Sequence, residues 1–272
     1  MSKNLRLIMT NLHDSAYVTA TSEALPVEYT KRSERVRTWR STDTTQQVIT
    51  ATFPGSMFLD AVVLYRHNLS SLSRIRVELL SGEDVVHDTG EVNVSGLIPL
   101  GKFRFGIDPW GATSTDELPI KQAPFWLPLV AVTGYRITIT DPDNSHGYLE
   151  IGRIIAGQVV SPKFNAAYGL QLEWQDFSEH RRTEGHSLRT IGEGIARRLP
   201  IDLNFMDAAD RRKFTNEFLR NGKRSDVYIS VFPEKGGLDE GEYAFLARRD
   251  NNYAHTHDFY QNWKTQIIFV EV

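Results

Sequence analysis

Residues 62–90, VVLYRHNLSSLSRIRVELLSGEDVVHDTG, read as one strand, a polar corner at Arg66-His67-Asn68, and a second strand that ends in a turn. Arg74-Ile75-Arg76-Val77-Glu78-Leu79 alternates polar and apolar, as do Tyr135-Arg136-Ile137-Thr138-Ile139-Thr140 and Leu170-Gln171-Leu172-Glu173-Trp174. A period of two marks strands with one buried face, because successive side chains point to opposite sides of the pleat. Residues 60–65 and 149–160 are more continuously apolar. Ser81-Gly82, Asp141-Pro142-Asp143-Asn144 and Lys235-Gly236-Gly237 supply turn chemistry between strands. Short strands separated in this way predict an all-β chain of sandwiches or barrels.

One stretch departs from that pattern. In DAADRRKFTNEFLRNG, residues 207–222, Asp207 is a helix cap, Phe214 and Phe218 lie four apart on one face, and Gly222 is a stop. The spacing predicts a single docked helix, with Arg211, Arg212 and Lys213 on its solvated face.

The chain's 272 residues, with 40% hydrophobic content, suffice for two domains with cores. The expected division is an N-terminal arm or edge strand over 1–35, a first domain over 36–160 and a second over 161–272. Ser161-Pro162-Lys163 would stop the preceding strand, and the KRSER run at 31–35 reads as an exposed linker. A net charge of −3 provides no global field for nucleic acid or an anionic membrane. The absence of cysteine excludes disulfides, thiolate metal sites and cysteine nucleophiles. The N-terminal apolar run, Leu5 to Met9, is broken by Arg6 and is too short for a signal or a membrane span, so synthesis and folding in the cytoplasm are expected.

Residues 36–90, with Val36-Arg37-Thr38-Trp39-Arg40-Ser41, the apolar strand 59–65, the RHNLS corner and the HDTG turn, resemble the discoidin or galactose-binding-like jelly roll. More narrowly they are similar to its version in tail proteins of long-tailed bacteriophages, a resemblance that covers about the first 160 residues. The second half is similar to the β-rich domain of distal-tail and tail-tip proteins, through Asn165-Ala166-Ala167-Tyr168-Gly169, Arg181-Arg182, a strand at 196–204, the helix, and a last strand finishing on an acidic residue. The resemblance implies a galactose-binding-like jelly-roll sandwich followed by a β-sandwich or barrel domain with one helix. It implies a non-enzymatic structural component of the virion tail that forms a homo-oligomeric ring and docks other tail or baseplate proteins, with no cofactor.

Arg66, His67 and Asn68 carry two readings. Such a corner needs donors and acceptors for its last backbone groups, and the three side chains supply them. The structural reading leads; in the alternative, the same corner binds a sugar beside an aromatic platform such as Trp39 or Trp110, as in a carbohydrate-binding module or receptor-binding adhesin. Trp110, Phe125 and Trp126 fall in a long proline-marked connection, 105–129, whose rings either pack over the end of the sandwich or serve as interface anchors. His255, His257 and Asp258 have the spacing of two metal ligands on one strand face but lack an evident third. The acids Asp116 and Glu117, or Glu240 and Glu242, lie in loops without an apolar pocket to raise one pKa, as glycoside hydrolysis requires. Ser56 lacks a nucleophile elbow, and Gly192-Glu193-Gly194 lacks the rest of a phosphate cradle.

Overall fold

A computed structural model of the chain describes residues 4–94, 120–235 and 237–272. The fold is all-β. In chain order the strands are β1 (Arg6–Ile8), β2 (Tyr17–Ala20), β3 (Trp39–Arg40), β4 (Gln47–His67), β5 (Arg74–Ser81), β6 (Asp84–Asp88), β7 (Val92–Asn93), β8 (Gln122–Thr140), β9 (Glu150–Gly157) and β10 (Val159–Val160). Then come β11 (Glu173–Asp176), β12 (Glu179–Arg182), β13 (Leu188–Ile191), β14 (Ile195–Met206), β15 (Val227–Ser230), β16 (Ala244–Arg249), β17 (Thr256–Phe259) and β18 (Asn262–Glu271). Helix α1 (Ala208–Asn221) precedes β15, and a six-residue α2 (Gly237–Glu242) precedes β16 where only turn residues were expected.

The long strands β4 and β8 build the first domain by serving two sheets each. The first half of β4 pairs with β2 and with the second half of β8, which continues to β5 and β6. Its second half pairs with the first half of β8 and with β9, which carries β3. The two strands cross between sheets together, at register shifts between Thr52 and Met57 and between Leu59 and Ala61. Extra residues at such bulges bend a strand enough to turn a corner. The sheets close as a jelly-roll-type sandwich over a buried core that includes Trp39, Ile49, Leu64, Val77, Tyr135 and Ile151.

Gly134 makes the crossing possible. It lies opposite Thr52, and a Cβ there would come 2.4 Å from the Ala51 carbonyl oxygen. Backbone cannot give way as a side chain tip can, so Gly134→Ala is expected to cost about 1–3 kcal/mol, read as a lower urea midpoint at unchanged slope.

The continuous apolarity of 62–65 has a direct cause. Val62 and Leu64 face the sandwich core, while Ala61, Val63 and Tyr65 face outward and pack with Ile155 against Ile8, Tyr228, Ala244 and Leu246 of a third sheet. A strand covered on both sides loses its alternation. The third sheet runs β10-β1-β15-β16-β18-β14-β11, and α1 covers its far face with Phe214 and Phe218 among Leu199, Ile201, Ile229, Phe245 and Phe269. Asp207 caps α1 by accepting from the Ala209 and Asp210 amides, and Gly222 ends it at φ 61.

The N-terminal 35 residues differ from the expected arm. β1 is an interior strand of the third sheet, between β10 and β15, because Leu5 and Leu7 enter the core under α1 while Ile8 enters the interface with the sandwich. β2 is an edge strand on β4. The KRSER run touches the C-terminal domain rather than lying free: Arg35 Nη2 donates to the Val272 carbonyl at 3.1 Å, and Arg248 Nη2 donates to Ser33 Oγ at 3.5 Å. The chain passes from the sandwich to the third sheet at Gln158, slightly ahead of Ser161-Pro162. Leu170 to Leu172, expected in a strand, lie before β11.

Candidate functional site at the polar corner

The ends of three strands meet where the opening stretch turns. His67 at the end of β4 lies opposite Ile151 in β9, and Tyr65 lies opposite both Gln122 in β8 and Arg153 in β9. This register gathers Arg66, His67, Asn68, Lys121, His146 and Glu150, with Arg35 and Thr38, around a concavity of about 500 Å³.

Asn68 is scaffold. Its Nδ2 donates to the Tyr148 carbonyl (2.9 Å), its Oδ1 accepts from the Glu150 amide (2.7 Å), and its own carbonyl accepts from Asn144 Nδ2 (3.1 Å). The buried Asp141 carboxylate accepts from the Ser70 amide (2.9 Å), Ser70 Oγ (2.5 Å) and Asn144 Nδ2 (2.9 Å), which completes the corner. Every group here answers a backbone demand.

Arg66 is different. Its backbone has φ 58, a left-handed conformation that costs a non-glycine residue roughly 1–2 kcal/mol. Its guanidinium lies over Gly152, where a Cβ would come 2.9 Å from Nε. Nη2 donates to the Glu34 carbonyl at 3.3 Å, whereas Nη1 is buried without a hydrogen-bond partner. Burial, with Arg35 and Arg153 nearby, lowers the guanidinium pKa.

His67 is 7% exposed, its Nδ1 accepts from the Leu69 amide at 3.3 Å, and its Nε2 has no hydrogen-bond partner. Burial, assisted by the charge of Lys121, lowers its pKa to about 3, so the ring is neutral near pH 7. On the rim, Arg40 places Nε and Nη2 on one Glu150 oxygen (3.0 and 2.7 Å) and lies 4.1 Å over the Tyr148 ring, beside His146. The concavity is therefore lined mainly by polar and charged side chains, while Arg66 Nη1 and His67 Nε2 are themselves buried.

The expected aromatic partners lie elsewhere. Trp39 is wholly buried in the sandwich core with Nε1 donating to the Ser22 carbonyl at 3.1 Å, so it cannot be a platform. Phe125 and Trp126 belong to β8 rather than to a loop; Pro124 sits opposite Val63, and Pro128 falls in the register shift, the position where a sheet tolerates proline. Phe125 is a core residue. Trp126 packs between sandwich and third sheet, beneath the Arg6 guanidinium at 4.6 Å and beside Tyr228. Trp110, Asp116 and Glu117 lie outside the described residues.

His257 stacks on Trp263 at 5.0 Å and Asp258 accepts from Lys264 Nζ at 2.7 Å; among the described residues no group of three His, Cys, Asp or Glu could hold a metal ion. Glu240 and Glu242 lie in α2. Ser56 is within β4, and Gly192 and Gly194, at φ 95 and 130, bend a hairpin. The concavity's Lys121, His146, Tyr148 and Glu150 were not singled out by sequence reasoning, because only the pairing register brings them beside Arg66.

No family model and no curated protein matches the chain. Solved structures with a likeness include a family 32 carbohydrate-binding module from a family 31 glycoside hydrolase of Clostridium perfringens (13% identity, 54% of this chain and 95% of that chain, TM-score 0.40). A second Clostridium perfringens family 32 module, solved in complex with GalNAc-β-1,3-galactose, has 11% identity over 55% of this chain and 100% of that chain, at TM-score 0.39. A chitosan-binding module from a chitosanase/glucanase of Paenibacillus sp. IK-5 has 12% identity over 55% of this chain and 99% of that chain, at TM-score 0.38.

Proposed function

We propose that this chain is a structural component of a phage tail tip or baseplate, located in the virion tail and joined there to further copies of itself and to neighbouring tail proteins. The phage setting comes from the sequence resemblance, and the observation that supports an assembly role is the hairpin of β12 and β13. It continues the β11–β14 ladder past a bend at Gly192 and Gly194, and all eight of its strand residues are exposed. Its flanks carry exposed Trp174, Phe177 and Ile195, and the strands themselves carry exposed Leu188 and Ile191. A two-stranded hairpin is marginal in water on its own, and its open edges invite another strand. A neighbouring subunit would cover it, and such head-to-tail contacts close into rings. Replacing both Leu188 and Ile191 by aspartate is expected to convert a closed oligomer to monomer in sedimentation velocity without altering the far-UV spectrum; an unchanged oligomer would remove the hairpin from the contact.

A second reading, a carbohydrate-binding module, is favoured by a separate observation: the sandwich carries a concavity of sugar size at the Arg66-His67-Asn68 corner, lined mainly by polar and charged side chains. The two readings are compatible, since one belongs to the sandwich and the other to the third sheet's hairpin.

A further inference from the structure

The KRSER run and the loop after α1 share a pattern. Lys31-Arg32-Ser33-Glu34 and Lys223-Arg224-Ser225-Asp226 are each Lys-Arg-Ser followed by an acid, and both segments line one concavity of about 430 Å³ between the sandwich and the third sheet. Asp14, Arg153 of β9 and Arg248 of β16 complete the charged part of its wall.

The carboxylates at this concavity are already engaged. Asp14 accepts from Arg153 Nη2 at 2.9 Å, and Asp226 accepts from Arg248 Nε at 2.9 Å and lies 3.7 Å from Arg153. Glu34 lies 3.9 Å from Arg37, and Lys31 is met by Glu28 at 2.6 Å, both partners standing outside the wall. Arg32 and Arg224, one from each Lys-Arg-Ser segment and both exposed, have no ion pair among the described residues. Two positive charges therefore stand at the concavity without a counterion. Arg248, 47% exposed, also lies there, with Nη2 donating to Ser33 Oγ at 3.5 Å. Guanidinium groups held close together repel one another, and a bound anion relieves that repulsion.

We propose that this concavity binds a small phosphorylated molecule through its phosphate, with Arg32 and Arg224 as the principal contacts and Arg248 as a third. Charge decides the class: a phosphate monoester carries about −1.5 to −2 at pH 7 and three strong acceptor oxygens, which matches two unpaired guanidinium groups, whereas a carboxylate supplies a single charge. The volume falls in the range of small-molecule sites. A ligand here would touch the 31–34 segment, the 224–226 loop and β16 together, and so would tie the third sheet to the segment that leads into the sandwich. The site is separate from the corner concavity and from the β12–β13 hairpin.

The test is isothermal titration of the full chain with ribose 5-phosphate, ribose, acetate and a short oligothymidylate. The expected result is saturable binding of ribose 5-phosphate that weakens with salt, no binding of ribose, and weaker binding of acetate and of the oligonucleotide. Arg32→Ala and Arg224→Ala should each weaken ribose 5-phosphate binding about tenfold, the usual effect of losing a hydrogen bond to a charged group. Because both side chains are exposed and unpaired, the thermal midpoint of the ligand-free variants should stay at the parent value. Ribose 5-phosphate bound no more tightly than acetate, or not at all, would overturn the proposal. Tighter binding of the oligothymidylate would overturn it in favour of a nucleic-acid backbone, and an affinity unchanged in both variants would place the bound phosphate elsewhere on the protein.

Discussion

Replacing Arg197 by alanine is expected to destabilise the protein by about 3–5 kcal/mol, the usual consequence of stranding a buried charge. Arg197 and Glu271 are 2% and 4% exposed and make a two-pronged pair, Nη2 to Oε1 at 2.5 Å and Nε to Oε2 at 3.0 Å. The remaining Nη1 donates to the carbonyls of Gly241 (3.0 Å), Glu242 (3.1 Å) and Ala244 (3.3 Å). The guanidinium also lies 4.6 Å over Phe245. The pair thus ties β14, the α2 turn and the end of β18 together, and removing one partner leaves the other uncompensated in a dry site. The Arg197→Met, Glu271→Met double variant should recover much of the loss, because paired apolar replacements remove both desolvation penalties. Urea denaturation of the three variants measures both terms, and a loss under 1 kcal/mol for Arg197→Ala would contradict this account of the C-terminal strand.

The second large effect is acid instability. His13 is fully buried: its Nε2 lies 2.8 Å from Thr30 Oγ, and its Nδ1 lies 2.6 Å from the Tyr135 hydroxyl. Thr30 Oγ donates onward to the Val27 carbonyl (2.6 Å), so the imidazole donates from Nε2 and accepts at Nδ1, the neutral form. Burial, followed by the charges of Arg153 and Lys31, lowers its pKa to about 3, and His67 is lowered to about 3 as well. Unfolding returns both to about 6.5, so the unfolded chain binds more protons between those limits. Stability is full above pH 6.5 and falls as pH drops from there toward 3, at about 1.4 kcal/mol per pH unit for each histidine. Asp14 and Asp60, whose pKa values burial raises, shift the balance slightly the other way. Denaturation midpoints between pH 7 and 4.5 should decline steeply, and the slope should roughly halve in His67→Gln. A flat profile across that range would refute the neutral burial of these rings.

Much of the architecture was legible in local patterns. The alternation at 74–79 and 135–140 gave strands, and Asp207, Phe214, Phe218 and Gly222 gave α1 with its caps. The polar corner at Arg66-His67-Asn68 was legible, yet the sequence could not show that Asn68 satisfies backbone groups while Arg66 Nη1 and His67 Nε2 are buried without a hydrogen-bond partner. That division depends on Tyr148 and Glu150, which lie about eighty positions away and reach the corner through strand register. Trp39 read as a platform because a tryptophan beside arginines looks the same whether it faces solvent or core. Phe125 and Trp126 read as a loop because Pro124 and Pro128 resemble breakers, although Pro124 keeps its register opposite Val63 and Pro128 falls at the register shift. The N-terminal strand escaped notice because its partners, β10 and β15, lie about 150 and 220 residues further on.

The most direct test of the assembly reading is the mass of the purified chain by light scattering over a wide concentration range. The account predicts a closed species, a fixed multiple of 31.0 kDa that does not grow with concentration. A mass of one chain at every concentration would contradict it and would leave the corner concavity as the candidate seat of function.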